Sequence, residues 1–375
     1  MEVGKKSILN WFIWWNNSTQ FVIPIYQRNY VWKRENIMQL LSDIESMIPY
    51  VDDSSKYHFF GTIVYIDTLH KGSFSEWTII DWQQRLTTIF LLLQALRQIY
   101  TDHSKVIEKK YLLNDEDIIN SKDEYDRYRL KPLVTDDNMY LKISETNLDN
   151  LTAEEEDSNI YRMYSIIKKH LLSWKDKYDY ETIINAIDKF RIVWIQLDKN
   201  EDPQQVFESI NSTWVNLTAA DLIRNFILMN KDDETQTHVY KNYWEKIEFT
   251  HVWTDNLKEF FRFYTAIKKK DRVSDKDVYE IFKNQYISLC WEWFQNEEET
   301  LKEILHYSEN YWYITNDSSP IKSIVNSEKI NSALIDYRNL ESSMPTIVVM
   351  EVIKMFREGI ISDDDAAKTI RLMTN

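Results

Sequence analysis

Glycine is nearly missing from this chain: 375 residues contain four, Gly4, Gly61, Gly72 and Gly359. A phosphate loop of the Walker type and a dinucleotide fingerprint both need clustered glycines, so spacing excludes them. Cysteine is rarer still, with Cys290 standing alone. That rules out an intramolecular disulfide and paired-thiolate metal ligation, and it suits a reducing cytoplasm. With no neighbouring His or Gly-rich turn to activate it, Cys290 reads as a small buried hydrophobe. No apolar run reaches the roughly 18 residues of a membrane span, and no small-residue cleavage site follows Lys5 and Lys6. The H-E-x-x-H and G-x-S-x-G patterns are absent, and the seven histidines are scattered without metal-ligand or HNH-nuclease spacing. Positive charge is also in deficit. Lys and Arg total 45 against 60 Asp and Glu, a net charge of -15, which opposes unassisted attachment to nucleic acid or an anionic membrane. Lys268-Lys269-Lys270-Asp271-Arg272 reads as a solvated helix end.

What is present is apolar and aromatic: 43% and 14% of residues, enough to bury a core in a chain long enough for two or three domains. The first hundred residues alternate strand-like and helix-like patterns. Phe21 to Ile25 reads as a strand. Ile37, Leu40, Leu41, Ile44 and Ile48 recur at helical spacing, predicting an amphipathic helix from Arg34 to about Ile48. His58 to Ile66 and Glu76 to Ile80 read as a hairpin across Lys71-Gly72-Ser73. A helix from about Gln83 is apolar nearly all round and should be buried. Residues from about 105 to 188 are charge-rich and helical, predicting an insertion, before Phe190 to Leu197 returns to the sheet. Thr218 with Asp221 three positions on predicts a capping box. Pro345 suits a helix start. Beyond about residue 232 only helical patterns recur. The expected fold class is therefore α+β: a mixed-sheet domain over 1–232 and an all-α domain over 233–375.

Polar chemistry gathers where apolar strands stop. Ile79-Ile80 runs into Asp81-Trp82-Gln83-Gln84-Arg85-Leu86-Thr87-Thr88, so a carboxylate, two amides and a guanidinium stand at the start of a helix. Unpaired N–H groups and the helix dipole favour an anion there, and Arg85 adds a planar fork matched to phosphate. Asp81 could hold a cation, position water or simply cap the helix, and Arg85 could be an ordinary surface charge. Phe21-Val22-Ile23-Pro24-Ile25 likewise delivers Tyr26-Gln27-Arg28-Asn29-Tyr30-Val31-Trp32. A third block, Phe207-Glu208-Ser209-Ile210-Asn211-Ser212-Thr213-Trp214, precedes Asp221-Leu222-Ile223-Arg224-Asn225. Carboxylates, amides and guanidiniums suit phosphoryl transfer, which needs positioned charge and oriented water more than covalent catalysis.

These three blocks resemble, in order, the I-P-x-Y-Q-R-x-Y-x-W, D-G-Q-Q-R-L-T-T and F-E-x-I-N-S-T-G…D-L-I-R-N patterns of the N-terminal domain of GmrSD-type restriction endonucleases, over roughly residues 10 to 270. The resemblance implies a ParB/sulfiredoxin-like fold and a cytoplasmic, modification-dependent antiphage restriction system. It also implies binding and Mg²⁺-dependent hydrolysis of a nucleoside triphosphate. By that resemblance Asp81, Gln84 and Arg85 are catalytic, with Asp81 on Mg²⁺ or water. Gln27, Arg28, Gln83, Glu208 and Asn211 would bind the nucleotide, while Tyr26 and Tyr30 are packing residues or a stacking surface for a base. The expected partner is an HNH-type nuclease domain or subunit, through which DNA would be reached. No HNH pattern is read through Asn375, so either the chain is a fragment or the nuclease is a separate partner; no membrane contact is expected, and an oligomer is open. Two other readings are a non-catalytic nucleotide-binding switch and a helical scaffold with a decayed site.

Trp82 and Trp214 depart from the pattern, each standing where the family has glycine. The chain holds 14 Trp against its 4 Gly, although glycine ordinarily makes up about 7% of residues. A UGA codon read as Trp where its source reads glycine accounts for this, as does genuine Trp in a degraded site.

Overall fold

The computed structural model describes residues 1–14, 19–71, 74–115, 124–198, 200–214, 217–229, 231–252, 256–292, 297–316, 327–339 and 345–374. The chain divides into two compact units, 1–210 and 211–375. The division falls inside the helix Pro203–Trp214, ahead of the boundary near 232 drawn from sequence.

The N-terminal unit holds six strands: β1 (Glu2–Ser7), β2 (Thr19–Val22), β3 (His58–Lys71), β4 (Phe74–Asp81), β5 (Leu130–Lys131) and β6 (Phe190–Leu197). Their order in the sheet is β1-β6-β3-β4-β2-β5. β3 and β4 form the expected antiparallel hairpin, with Val64 opposite Asp81 and Lys71 opposite Phe74; Gly72 and Ser73 of its turn lie outside the described residues. β6 runs parallel to β3, and β2 parallel to β4, so the sheet is mixed, as an α+β chain requires. Two strands escaped the sequence pattern. β1 pairs antiparallel with β6, and its Glu2, Lys5 and Lys6 suit a sheet edge, where charge discourages further pairing. β5 lies within the segment read as a helical insertion and pairs parallel with β2 through Phe21↔Leu130 and Val22↔Lys131. Two residues are too few to display an alternation.

Helix α1 (Ile8–Phe12) follows β1. Helix α2 (Arg34–Met47) buries Ile37, Leu40, Leu41 and Ile44, the face its spacing predicts. Helix α3 (Gln83–Ile99) buries Leu86 and every residue from Thr87 to Arg97, so it is the central rod of the unit. The helix Asn159–Trp174 packs along it. Aromatic rings fill the space between sheet and helices: Trp11 stacks on Phe21 at 4.9 Å, Tyr65 on Trp77 at 4.4 Å, and Phe12 meets Phe90 at 5.1 Å. Offset and tilted ring pairs of this kind add to burial.

The described residues of the second unit form helices and π-helical turns, with no strand among them. Thr218 caps the helix Ala219–Leu228 through the expected reciprocal bonds with Asp221. Pro345 stands immediately before the helix Thr346–Arg357. Trp244 stacks on Phe261 at 5.6 Å in the core of this unit. No helix among the described residues is long and apolar enough to cross a membrane.

Candidate functional site

β4 ends at Asp81, which still pairs with Val64 across the hairpin. The turn into α3 is made by Trp82, whose backbone is left-handed at φ 89° and ψ 9°. Asp81 is therefore not the capping residue; Trp82 occupies that position and supplies no side-chain cap. The first intrahelical bond is Leu86 N–H to the Trp82 carbonyl at 3.1 Å. The N–H groups of Gln83, Gln84 and Arg85 precede it, at the positive end of the helix dipole.

The chain leaving β2 folds back onto this turn. Gln27 N–H bonds the Pro24 carbonyl at 3.0 Å, and three glutamine amides fasten the two blocks together. Gln27 Nε2 donates to the Ile80 carbonyl at 2.6 Å, Gln83 Nε2 to the Arg28 carbonyl at 3.1 Å, and Gln84 Nε2 to the Asn29 carbonyl at 2.9 Å. Gln84 Oε1 also accepts from Val31 N–H at 2.9 Å. Both ends of that amide are thus engaged with backbone. Tyr26 and Tyr30 are buried, and Tyr30 shares a 2.7 Å hydroxyl bond with Thr88. Desolvation pushes both phenols upward in pKa. They are packing residues.

Two further anchors lie far along the sequence. Asp136 Oδ2 accepts from Tyr30 N–H at 3.0 Å, and Asn159 Nδ2 donates to the carbonyls of Tyr30 and Trp32 at 2.8 and 3.0 Å. Neither residue belongs to a motif block. A lone polar residue at a helix end carries no sequence signal that it will reach a loop more than a hundred positions away.

Between these anchors the charges converge. Asp81 is half-buried, and desolvation raises its pKa; the Trp82 N–H, then the guanidiniums of Arg85 and Arg28, act in the opposite direction. Arg85 is exposed as a whole residue, but its Nη1 reaches inward to the Phe60 carbonyl at 2.7 Å. Burial of that tip lowers the guanidinium pKa, while Asp81 opposes the shift. Gly61, at φ +120°, makes this approach possible. A Cβ there would stand 2.2 Å from Arg85 Nη1 and 3.0 Å from Trp82 Nε1. A glycine kept inside a strand of a chain with four in all was the available signal.

The third block divides. Glu208 accepts from Gln204 Nε2 at 2.8 Å within its own helix, while the side chains of Asn211 and Trp214 lie outside the described residues. Arg224, in the second unit, is 2% exposed and donates to Glu248 Oε2 at 2.7 Å; Trp244 Nε1 donates to the same oxygen at 2.7 Å. That arginine is part of a core.

No group of three or more His, Cys, Asp or Glu side chains gathers among the described residues. A lone half-buried carboxylate beside two guanidiniums fits Mg²⁺ only as an ion that arrives with phosphate oxygens, since Mg²⁺ commonly takes one or two carboxylates and completes its octahedron with phosphates and water. A cavity of about 640 Å³ opens at the other end of α3, around Arg97, Gln98, Arg127, Thr146 and Lys168. None of the motif residues lines it.

Residues 13–228 match the family described as GmrSD restriction endonuclease, N-terminal domain. The chain belongs to that family. The match takes in both blocks that meet at α3 and the cap of the helix Ala219–Leu228, and so runs past the division between the units. An uncharacterized protein of Methanocaldococcus jannaschii is 28% identical over 232 residues, which are 54% of this chain and 38% of the relative. The chain thus matches well under two thirds of that relative's length. Within this GmrSD N-terminal domain, Gln27, Arg28, Asp81, Gln83, Gln84 and Arg85 are the expected site residues that come together.

Proposed function

We propose that this chain is the nucleoside-triphosphate-binding, and hydrolysing, component of a GmrSD-like, modification-dependent antiphage restriction system, built on a ParB/sulfiredoxin-like domain. It acts in the cytoplasm with an HNH-type nuclease domain or subunit as its partner, through which DNA is engaged. The observation that carries this reading is the meeting of Asp81, Arg85 and Arg28 at the uncapped start of α3. Two guanidiniums and three forward N–H groups offer a phosphate chain both charge and directed donors. Asp81 is the one carboxylate of the turn, and is held for a water or for the phosphate-borne Mg²⁺. That ion would supply Lewis-acid neutralisation of the developing phosphate charge. Gln83 and Gln84 position the loop that carries Arg28, while Gln27 holds the end of β4. Phosphate release from each of the four ribonucleoside triphosphates, with Mg²⁺ or with EDTA, with and without DNA, tests it. Mg²⁺-dependent turnover lost in Arg85→Ala is the expected result; equal release by the variant would overturn the assignment.

One observation favours a second reading, that of a nucleotide-binding switch. All three glutamine amides donate to backbone carbonyls and Gln84 Oε1 also accepts from Val31 N–H, so Gln84 is committed to the loop at both ends rather than to an attacking water. Tight binding with no turnover would select the switch. No binding at all would select the scaffold.

A further inference from the structure

Four non-glycine residues among those described have positive φ: Trp82, Thr146, Asn150 and Lys270. The last three lie at 61°, 62° and 59°, inside the small left-handed well open to L residues. Lys270 and Thr146 are also at helix ends, where such a turn of the chain is common. Trp82, at 89°, is beyond that well. It has the backbone of a glycine in a tight strand-to-helix turn, carrying the largest of side chains.

The indole is not loosely placed. It is 6% exposed, meets the Phe60 ring edge-on at 5.0 Å, and turns Nε1 to the Phe60 carbonyl at 3.3 Å. Arg85 Nη1 is on that same carbonyl. Indole and guanidinium therefore fill the floor of the turn together, against the bare Cα of Gly61. Other tryptophans have ordinary surroundings: Trp11 and Trp77 are in the aromatic core of the sheet, and neither has positive φ. The chain holds 14 Trp and 4 Gly, and among the described tryptophans Trp82 alone has a positive φ.

We propose that residue 82 is glycine in the protein as its own cell makes it, from a UGA codon decoded there as glycine, and that the Trp82 indole plugs the phosphate subsite beside Asp81 and Arg85. The second half rests on the nucleotide reading given above. With glycine at 82, the volume of an indole opens between the Phe60 carbonyl, Gly61 and Arg85. The guanidinium is then free to turn from a backbone carbonyl to a triphosphate, whose charge makes it the stronger partner.

The test compares the full chain with Trp82→Gly, Trp82→Ala and Trp82→Asn. All three lose the indole, so differences among them isolate the backbone. At an ordinary position in a helix alanine is the more stable residue; at positive φ the order reverses, with Asn tolerated better than Ala. Trp82→Gly is expected to melt about 2–4 °C above Trp82→Ala, with Trp82→Asn between them. Ala at or above both Gly and Asn overturns the glycine assignment. Should Trp82→Gly fail to fold, the Asn and Ala pair decides by the same rule.

Titration with the four ribonucleoside triphosphates and Mg²⁺ tests the plug. Affinity for at least one should rise about tenfold or more in Trp82→Gly, and an unchanged affinity overturns the plug. If neither chain binds while the melting order holds, the nucleotide reading and the plug fall and the glycine assignment stands. Mass spectrometry of the protein from its native cell should give glycine at 82 and tryptophan at 77. Tryptophan mass at 82 overturns the recoding.

Discussion

In the N-terminal unit Arg85 is exposed as a whole residue and donates from its inward tip to the Phe60 carbonyl, while in the second unit Arg224 is 2% exposed and donates to Glu248, each at 2.7 Å. Both arginines come from motif blocks, and as letters in a sequence they carry equal promise. Their surroundings separate them. Arg224 faces a carboxylate that also takes the Trp244 indole N–H, in a setting where an unmatched charge has no water to turn to. Arg85 stands at the head of a helix whose first N–H groups precede any intrahelical bond. An arginine tied to a buried carboxylate specifies packing, whereas Arg85 donates to a neutral carbonyl and has Asp81 as a nearby opposite charge.

The largest effect is expected where that contrast is broken from the buried side. Arg224→Ala should destabilise the second unit by about 3–5 kcal/mol, because Glu248 is left charged and unpaired. Burial already raises the Glu248 pKa, and loss of Arg224 raises it further. A carboxyl whose folded pKa lies above its unfolded value is most stabilising below the unfolded value, and that contribution is lost as pH rises through the folded one. The variant should therefore recover as pH falls and Glu248 protonates; melting curves across pH 4 to 8 that stay parallel to those of the unaltered chain would contradict this.

Arg85→Ala should reverse the pattern, cutting nucleotide turnover about 10²- to 10³-fold, comparable to loss of one preorganised donor. Its melting temperature should move only slightly, as for an exposed side chain. A large loss of stability with turnover retained would place Arg85 beside Arg224 as a structural residue. Next in size is Gln84→Ala, which leaves the Val31 N–H and the Asn29 carbonyl without their amide partner. A cost of about 1–3 kcal/mol is expected, with KM raised more than kcat is lowered, since the residue acts through the loop; steady-state kinetics separate the two. The smallest effect is that of Asp81→Asn. Burial raises the Asp81 pKa, so its charged form penalises the native chain at neutral pH. The variant should melt about 2 °C above the unaltered chain at pH 7, and the gap should close toward pH 4. A variant less stable at pH 7 would show that the Asp81 charge supports the fold.

How much of this was legible follows from what each element exposes as a pattern. Ile37, Leu40, Leu41 and Ile44 announce α2 because one apolar face at helical spacing is a repeating signal, and the run through Phe90 announces α3. β1 and β5 give no such signal. Lys5 and Lys6 look like surface charge until β6 lies beside them, and Leu130–Lys131 is a strand only because Phe21 and Val22 are its neighbours. The motif blocks pointed to Arg28, Asp81 and Arg85 as one cluster. They did not reveal that Gln27, Gln83 and Gln84 would bond backbone, because an amide in a list of letters has no direction. Asp136 and Asn159 were out of reach for the same reason. Asn211 and Trp214 fall where side chains are not described.

The glutamine anchors join segments 53 and 55 residues apart, and Asn159 closes on Tyr30 and Trp32 across 129 and 127. Contacts so distant along the chain form only after the intervening loops have closed, at an entropic cost that local contacts do not offset. The pairing of Arg28 with Arg85 is therefore a property of the nearly finished fold. A ligand that reads both guanidiniums together has nothing to recognise in a nascent or half-folded copy. Present at a hundred times its Kd, it would deepen the native well by about 2.7 kcal/mol and leave the unfolded chain untouched. A nucleotide of the kind proposed above would thus be held by folded copies alone.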